Sequence, residues 1–500
     1  MSFTQPKFLL FLAVALAVYF VAPKKVRPYV LLAASYLFYW FSGGALALGA
    51  ISLTVLSVYA AGLHAGALRR AGAKKAKRRA PLLWCLLLNF GILAALKFSG
   101  LAFPKLGTLL IPGISFYTFG AAGYLIDVYR GKVSPERNVL KFALFVSFFP
   151  QLIMGPISRY SEVAENLFAG HGWNWERARR GVRRIIWGYF MKLAIADVLA
   201  APVAEIFDNY ASYSGAVILA GALFYTFQIY ADFAGGINIV LGIGELVGVS
   251  LPENFRQPFF ARSLTDFWTR WHMSLTRWLR DYLFYPLALS KPLAKLSRAA
   301  RRVFGQDVGK KIPASAATFA VYIIVGVWHG ASLAAFIFGL LNGAIITLSL
   351  FCEPLLDTLR EKTGIDGSKR GFGAAFAMLR TFIIMLLLRI FARAASASAA
   401  FSMLWRSLTD FRLTGLRTTL LGLGLGTWDY LLLAVCIALL IGRDILAARL
   451  EGSGESLDTR LNRARPAAQF ILTFVVLAFV CYFGLYREGY TATEFIYAQY

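Results

Sequence analysis

The sequence predicts an all-α polytopic membrane protein, and three observations carry that reading. Its 500 residues are 58% hydrophobic, with a mean hydropathy of +0.61. Apolar runs long enough to cross a hydrocarbon layer of about 30 Å recur along the whole chain. These runs are continuous rather than alternating over about ten residues, which argues against a membrane β-barrel. Polar stretches are too short to build a soluble core of their own, so residues 1–500 read as one membrane domain.

In chain order, spans are expected near 8–22, 29–42, 45–63, 82–98, 108–127, 139–155, 185–201, 215–231, 235–250, 313–328, 332–351, 374–393, 428–446 and 468–486. Some of these are re-entrant or fused, leaving roughly eleven to thirteen crossings, because hydropathy places runs better than it counts crossings. Residues 8–22 lack the basic leader of a signal peptide, and the Lys24-Lys25-Val26-Arg27 cluster follows them instead. The longest non-spanning region runs from Leu251 to Ile312. Within it, Ser263-Leu264-Thr265-Asp266 offers helix-start chemistry. Trp268, Trp271, Leu275, Trp278 and Tyr282 then follow three- and four-residue steps, with Arg270, Ser274, Arg277 and Asp281 on the opposite face. The expected element is one amphipathic, aromatic-rich helix at the cytoplasmic interface. Glycines spaced by four, at Gly244/Gly248, Gly326/Gly330 and Gly339/Gly343, suit close helix approach.

A net charge of +26 would suggest a nucleic-acid partner in a soluble chain. Here the positive-inside rule accounts for it, and no nucleic acid is expected. Lys and Arg cluster at 24–27, 69–79, 177–184, 291–311 and 449–465, in loops that stay cytoplasmic and meet anionic lipid headgroups. Three spans around the first two clusters place the N-terminus outside, and one span after the last places the C-terminus outside too. Cys85, Cys352, Cys436 and Cys481 are scattered without a CxxC pair and read as buried apolar residues.

Four residues stand out as expensive at membrane depth. His329 lies in the uncharged run Tyr322-Ile-Ile-Val-Gly-Val-Trp328-His329-Gly330-Ala331. An ionisable side chain there faces a protein interior or a wet cavity and marks a functional path, the bland alternative being a histidine satisfied by a neighbouring carbonyl or hydroxyl. A neutral imidazole can accept a proton from a hydroxyl. His272 reads either as a polar tip on the interfacial helix or as a partner that orients donor or acceptor. Asp232 either pairs with an arginine from a neighbouring helix or polarises a site residue. Arg159 follows Gly155-Pro156 in an irregular turn, tolerated at depth only where protein or a wet cavity covers it. His64 and His171 lie beside basic or polar loops and read as solvated. A two-histidine metal site lacks carboxylates or thiolates to complete it, so no metal is expected.

Five ordered segments resemble the membrane-bound O-acyltransferase family. They are Phe149-Pro-Gln-Leu-Ile-Met154-Gly-Pro156-Ile-Ser-Arg159-Tyr160, Glu253-Asn-Phe-Arg-Gln-Pro258, Phe267-Trp-Thr-Arg-Trp271-His272-Met-Ser-Leu275, Asp281-Tyr-Leu-Phe-Tyr-Pro286 and Gly326-Val-Trp328-His329-Gly330-Ala331. The match covers about residues 112–345 and is most similar to the bacterial alginate O-acetyltransferase and teichoic-acid D-alanyltransferase branch. Met154 departs from it, since alginate-type members usually carry a small residue there.

The resemblance implies a ring of helices around a tunnel that joins a cytoplasmic donor site to an extracytoplasmic funnel, in a bacterial cytoplasmic membrane. It implies His329 as the catalytic histidine and His272 as its partner position, with Trp328, Gly330, Trp271, Asp281, Asp232 and Arg159 as candidates to line the site. The reaction would move an acyl group, acetyl above all, from acetyl-CoA or an acyl carrier protein to an exported or envelope polysaccharide. The thioester donor is a substrate, and no cofactor is expected to be bound. D-alanyl transfer to teichoic acid, or non-enzymatic transport of a lipid-linked polymer, are the alternatives. A transporter would show inverted repeats, and none is visible; no GxSxG elbow argues for a serine intermediate. The segment 487–500 ends Thr493-Glu-Phe-Ile-Tyr497-Ala-Gln-Tyr500, similar to an ending of this branch. A phenol ionises more readily than a sugar hydroxyl and its ester is an activated donor, so Tyr497 is a candidate acyl relay to a partner transferase outside the membrane.

Overall fold

The computed structural model describes residues 1–102, 111–330, 332–363, 371–485 and 494–496. Helices account for every regular element among them, and the one β-type pairing is an isolated antiparallel bridge between Phe255 and Trp271. Among the described residues eight helices are long and apolar enough to cross a membrane: Arg27–Arg70, Lys75–Lys97, Gly215–Val247, Lys291–His329, Leu333–Phe351, Phe372–Arg393, Thr427–Gly452 and Pro466–Gly484. Pro6–Val21 is shorter but equally apolar. The chain is a multi-pass membrane protein.

Burial divides these helices by role. The apolar window of Pro466–Gly484 is only 17% buried and that of Lys75–Lys97 22%, so Trp84, Leu87, Phe470 and Ile471 point out of the protein. Exposed apolar surface on that scale belongs against lipid. The window of Gly215–Val247 is 78% buried, which makes this helix an interior one.

The eight long helices are fewer than the expected crossings because several runs fuse or break. Runs 29–42 and 45–63 join as Arg27–Arg70, 44 residues with non-helical backbone at Gly44 (φ 66°, ψ −161°). At about 1.5 Å per residue a straight helix of that length would be about twice the bilayer core, and Gly44 supplies the bend. Runs 215–231 and 235–250 are one unbroken helix. Gly235 is not a boundary there: a Cβ on it would meet the Gly188 carbonyl at 2.8 Å, so the glycine serves close helix packing. The run 139–155 breaks at Phe148 into Val139–Ser147 and Phe149–Leu152. Cys85 and Cys436 are buried as expected, but Cys352 is exposed at the end of Leu333–Phe351 and Cys481 is half-buried.

The chain sorts into two compact units, one of residues 1–194, 232–253 and 461–500, the other of residues 195–231 and 254–460.

Candidate functional site

Both singled-out histidines belong to the second unit, 195–231 with 254–460. The expected amphipathic helix does not run through His272. It starts as foreseen, with Ser263 Oγ accepting the Asp266 N–H at 3.0 Å, but covers only Leu264–Arg270. The chain then turns and restarts as Met273–Leu279, followed by a π-helical stretch Arg280–Phe284. His272 sits at the break in the left-handed region, φ 48° and ψ 51°. For an L-residue with a Cβ that conformation costs about 1–2 kcal/mol.

Asn254 holds the break. Its carbonyl accepts the Met273 N–H at 3.0 Å and its side-chain Oδ1 accepts the Ser274 N–H at 2.9 Å. These are the opening donors of the new helix, which His272 itself does not cap. Arg256 N donates to the Arg270 carbonyl at 3.0 Å, and Thr276 Oγ1 donates to the Trp268 carbonyl at 2.9 Å. The Ser274 bond is buried, and such a donor would cost about 1–3 kcal/mol if left unmet, enough to offset the strained dihedrals. The loop is held at its other side by Glu451, which takes Arg256 at 2.9 Å and Gln257 at 3.1 Å.

The consequence for the side chains departs from an interfacial helix. His272 is 2% exposed, Ser274, foreseen on the polar face, is also 2%, and Trp271, Leu275, Trp278 and Tyr282 are buried. Burial pushes the His272 imidazole from its ordinary 6.5 down to about 3, and charge on His329 adds to the effect. Asp281 pairs with Arg280 at 3.0 Å. Trp271 stacks on Phe267 and carries the Arg389 guanidinium over its ring at 4.6 Å. Arg389 is 3% exposed and donates to the Thr226 carbonyl at 3.2 Å.

His329 is the last residue of Lys291–His329 and is half-buried. Trp328 contacts both histidines, its ring centroid 4.7 Å from His329 and 6.3 Å from His272. Phe338 of the next helix meets His329 at 6.1 Å. Gly326 and Gly339 bring the two helices into backbone contact: a Cβ on Gly326 would lie 2.6 Å from the Ala335 carbonyl and 3.0 Å from the Gly339 Cα. Gly330 does not share that role. Its backbone is extended (φ 178°), and a Cβ there would make an ordinary 3.6 Å contact.

The first unit holds Asp232 and Arg159. Asp232 pairs with a lysine instead of the arginine expected: Lys192 Nζ lies 2.8 Å from Oδ1, with both side chains buried. Arg159 reaches Glu162 at 3.9 Å and closes the irregular turn after Pro156. That turn is satisfied internally, since Ser158 Oγ donates to Gln151 Oε1 at 2.9 Å and Gln151 Nε2 to the Phe145 carbonyl at 3.1 Å. His64 is exposed, whereas His171 is half-buried against the Asn166 carbonyl at 3.1 Å, and burial with Arg177 nearby lowers its pKa. Tyr497 lies outside the described residues.

Sequence reasoning missed three residues that shape these sites. Asn254 lay inside a quoted motif without a role. Arg389 and Lys192 are charges within apolar runs, the same costly placement that drew attention to Asp232.

The chain is similar to known proteins. A family model described as MBOAT, membrane-bound O-acyltransferase family, matches residues 133–388. A protein named probable alginate O-acetylase from Pseudomonas syringae pv. tomato is 37% identical over 360 residues, 69% of this chain and 65% of the relative. A peptidoglycan O-acetyltransferase of Helicobacter pylori is 32% identical over 49% of this chain and 48% of its own length. A teichoic acid D-alanyltransferase of Bacillus subtilis is 27% identical over 48% and 59%. The chain thus spans just under two thirds of the first relative. With a matching model over half its length, and all five segments quoted between Phe149 and Ala331 inside the matched interval, the chain belongs to the membrane-bound O-acyltransferase family.

Proposed function

We propose that this protein is an O-acyltransferase of a bacterial cytoplasmic membrane, which passes an acyl group, acetyl above all, from a cytoplasmic thioester to an envelope or exported polysaccharide. Family membership supports the reaction class, and the names of the alginate and peptidoglycan relatives support acetyl and polysaccharide. The observation that carries the reading is the placement of His329: a half-buried imidazole at a helix end, beside Trp328 and within electrostatic reach of a buried neutral His272.

In this reading His329 accepts the proton of an attacking hydroxyl, and the oxygen adds to the thioester carbonyl. The C–S bond then breaks, and the thiolate leaves with the proton held by the imidazolium. Holding the two reactants together lowers the entropic cost, and proton removal is general-base work. Trp328 and Gly330, which flank His329 in sequence, are the candidates to supply a donor to the transient oxyanion. His272, neutral at physiological pH, positions Trp328 and senses charge on His329. Tyr497 is the candidate acceptor that relays the acyl group to a separate transferase.

The test is chemical analysis of envelope polymers from a strain lacking this gene, complemented with wild type or His329→Ala. Loss of ester-linked acetate, restored by wild type alone, is expected. Loss of ester-linked D-alanine would replace acetyl by the D-alanyl reading, and unchanged esters with altered polymer export would replace the enzyme by a transporter.

A further inference from the structure

The first unit contains a charged pair that the reaction above does not use. Lys192 and Asp232 are 1% and 2% exposed as side chains, 2.8 Å apart, in helical segments that cross at Gly188 and Gly235. Lys192 stands in the π-helical stretch Phe190–Ala196, a distortion that often marks functional positions. Taking two charges out of water costs several kcal/mol per ion, recovered only when the remaining lone pairs and protons find partners.

Here the segment Glu494–Ile496 supplies partners. Asp232 uses Oδ1 for the ammonium and Oδ2 for the Ile496 N–H, at 2.8 Å each. Lys192 Nζ lies 3.4 Å from the Glu494 carbonyl and 4.6 Å from the centre of the Phe495 ring. Thus one carbonyl, the next ring and the next N–H of three successive residues are read by a single ion pair. Phe495 is 2% exposed and meets Phe3 edge to face at 6.4 Å. Gly236 makes its seat: a Cβ there would lie 3.1 Å from Phe495 Cε1 and collide with buried Met154.

We propose that the buried Lys192–Asp232 pair is a clamp that docks Glu494–Ile496 through its backbone and the Phe495 ring, and thereby positions the next residue, Tyr497, for acylation. The clamp reads main chain at two of three positions, so it tolerates other side chains at 494 and 496 but requires an aromatic ring at 495. Lys192 and Asp232 are positioning residues in this scheme. The positioning role rests on the acyl-relay reading above, whereas the docking does not.

The test uses the full chain purified in detergent and follows amide exchange of the peptide carrying Ile496, together with the mass of the Tyr497 peptide after incubation with acetyl-CoA. Phe495→Ala leaves the ion pair intact, and Lys192→Met/Asp232→Leu replaces it with apolar residues of similar volume. Both are expected to speed Ile496 exchange at least tenfold and to lose the acyl adduct, with exchange in Phe372–Arg393 unchanged. Wild-type protection of Ile496 in both variants would overturn the clamp. Faster exchange with an undiminished adduct would overturn the positioning role. Absence of any adduct in the wild type would remove the relay and leave the exchange result to judge the docking alone.

Discussion

Trp328 meets both histidines, its ring centroid 6.3 Å from that of His272 and 4.7 Å from that of His329. The indole is therefore shared by a buried imidazole and a half-buried one. His329 is the more accessible of the two, and burial keeps His272 neutral at physiological pH. Different substitutions should report on the two.

His329→Ala is expected to lower acyl transfer by about 10²- to 10⁴-fold, the usual loss for a positioned general base. Thioester cleavage by the purified protein measures this, with gel filtration showing that the variant remains folded. A wild-type rate would end the assignment of His329 as base.

Protonation should destabilise the protein through His272. Its folded pKa of about 3 lies below the unfolded 6.5, so the unfolded chain binds more protons between those values. The stability held by the neutral ring is complete above pH 6.5 and is lost as pH falls toward 3. Between pH 6.5 and 5 this amounts to about 2 kcal/mol. His272→Asn, which tolerates left-handed backbone, should flatten the fall of the melting temperature over that interval; an identical slope in the variant would exclude His272 as its source.

Arg389→Lys keeps the charge but not the plane that lies over Trp271. A desolvated cation–π contact contributes about 2 kcal/mol, and lysine cannot reproduce the stacked fork. Thermal unfolding in detergent should show a loss of that order, and a melting temperature equal to wild type would mean that the stacking contributes nothing.

Gly339→Ala should impair catalysis without touching the histidine. The added Cβ would lie 2.9 Å from the Gly326 Cα, so the two helices must part. A shift of about 1 Å at the reacting group can cost about 10²-fold. Gly442→Ala, where a Cβ meets nothing within 4 Å, is the control and should retain full activity. Equal rates for both variants would show that the crossing does not set the position of His329.

From the loop charges, residues 72 and 303 are expected in the cytoplasm and residue 41 outside. Gly72, Val303 and Phe41 are all exposed, whereas Phe495 is buried and would give no signal as a topology probe. In a background without native cysteines, an impermeant thiol reagent should label Phe41→Cys in intact cells and spare Gly72→Cys and Val303→Cys. The opposite pattern would invert the orientation.

Most spans and His329 were legible because their signals are local: a long apolar run has one physical home, and an imidazole within it has a known cost. The break at His272 was not, because the three- and four-residue spacing from Trp268 to Tyr282 continues straight across it. What interrupts the helix is Asn254, about twenty residues upstream, which takes the N–H groups of Met273 and Ser274. Lys192 stayed hidden for a related reason. Its partner Asp232 was recognised as costly, but hydropathy does not state which opposite charge folding will bring to it.

The backbone contact between Gly326 and Gly339 also bears on how this chain can vary. At Gly326 and Gly339 the helices touch through backbone, so no rotamer or methyl group at that point transmits a change from their outer faces. Substitutions among the exposed residues Ile324, Val327, Leu333 and Leu348 are expected to alter the fit to surrounding lipid and to leave the Gly326–Gly339 contact in place. The setting of His329 is thereby insulated from drift on the surface that different membranes would select.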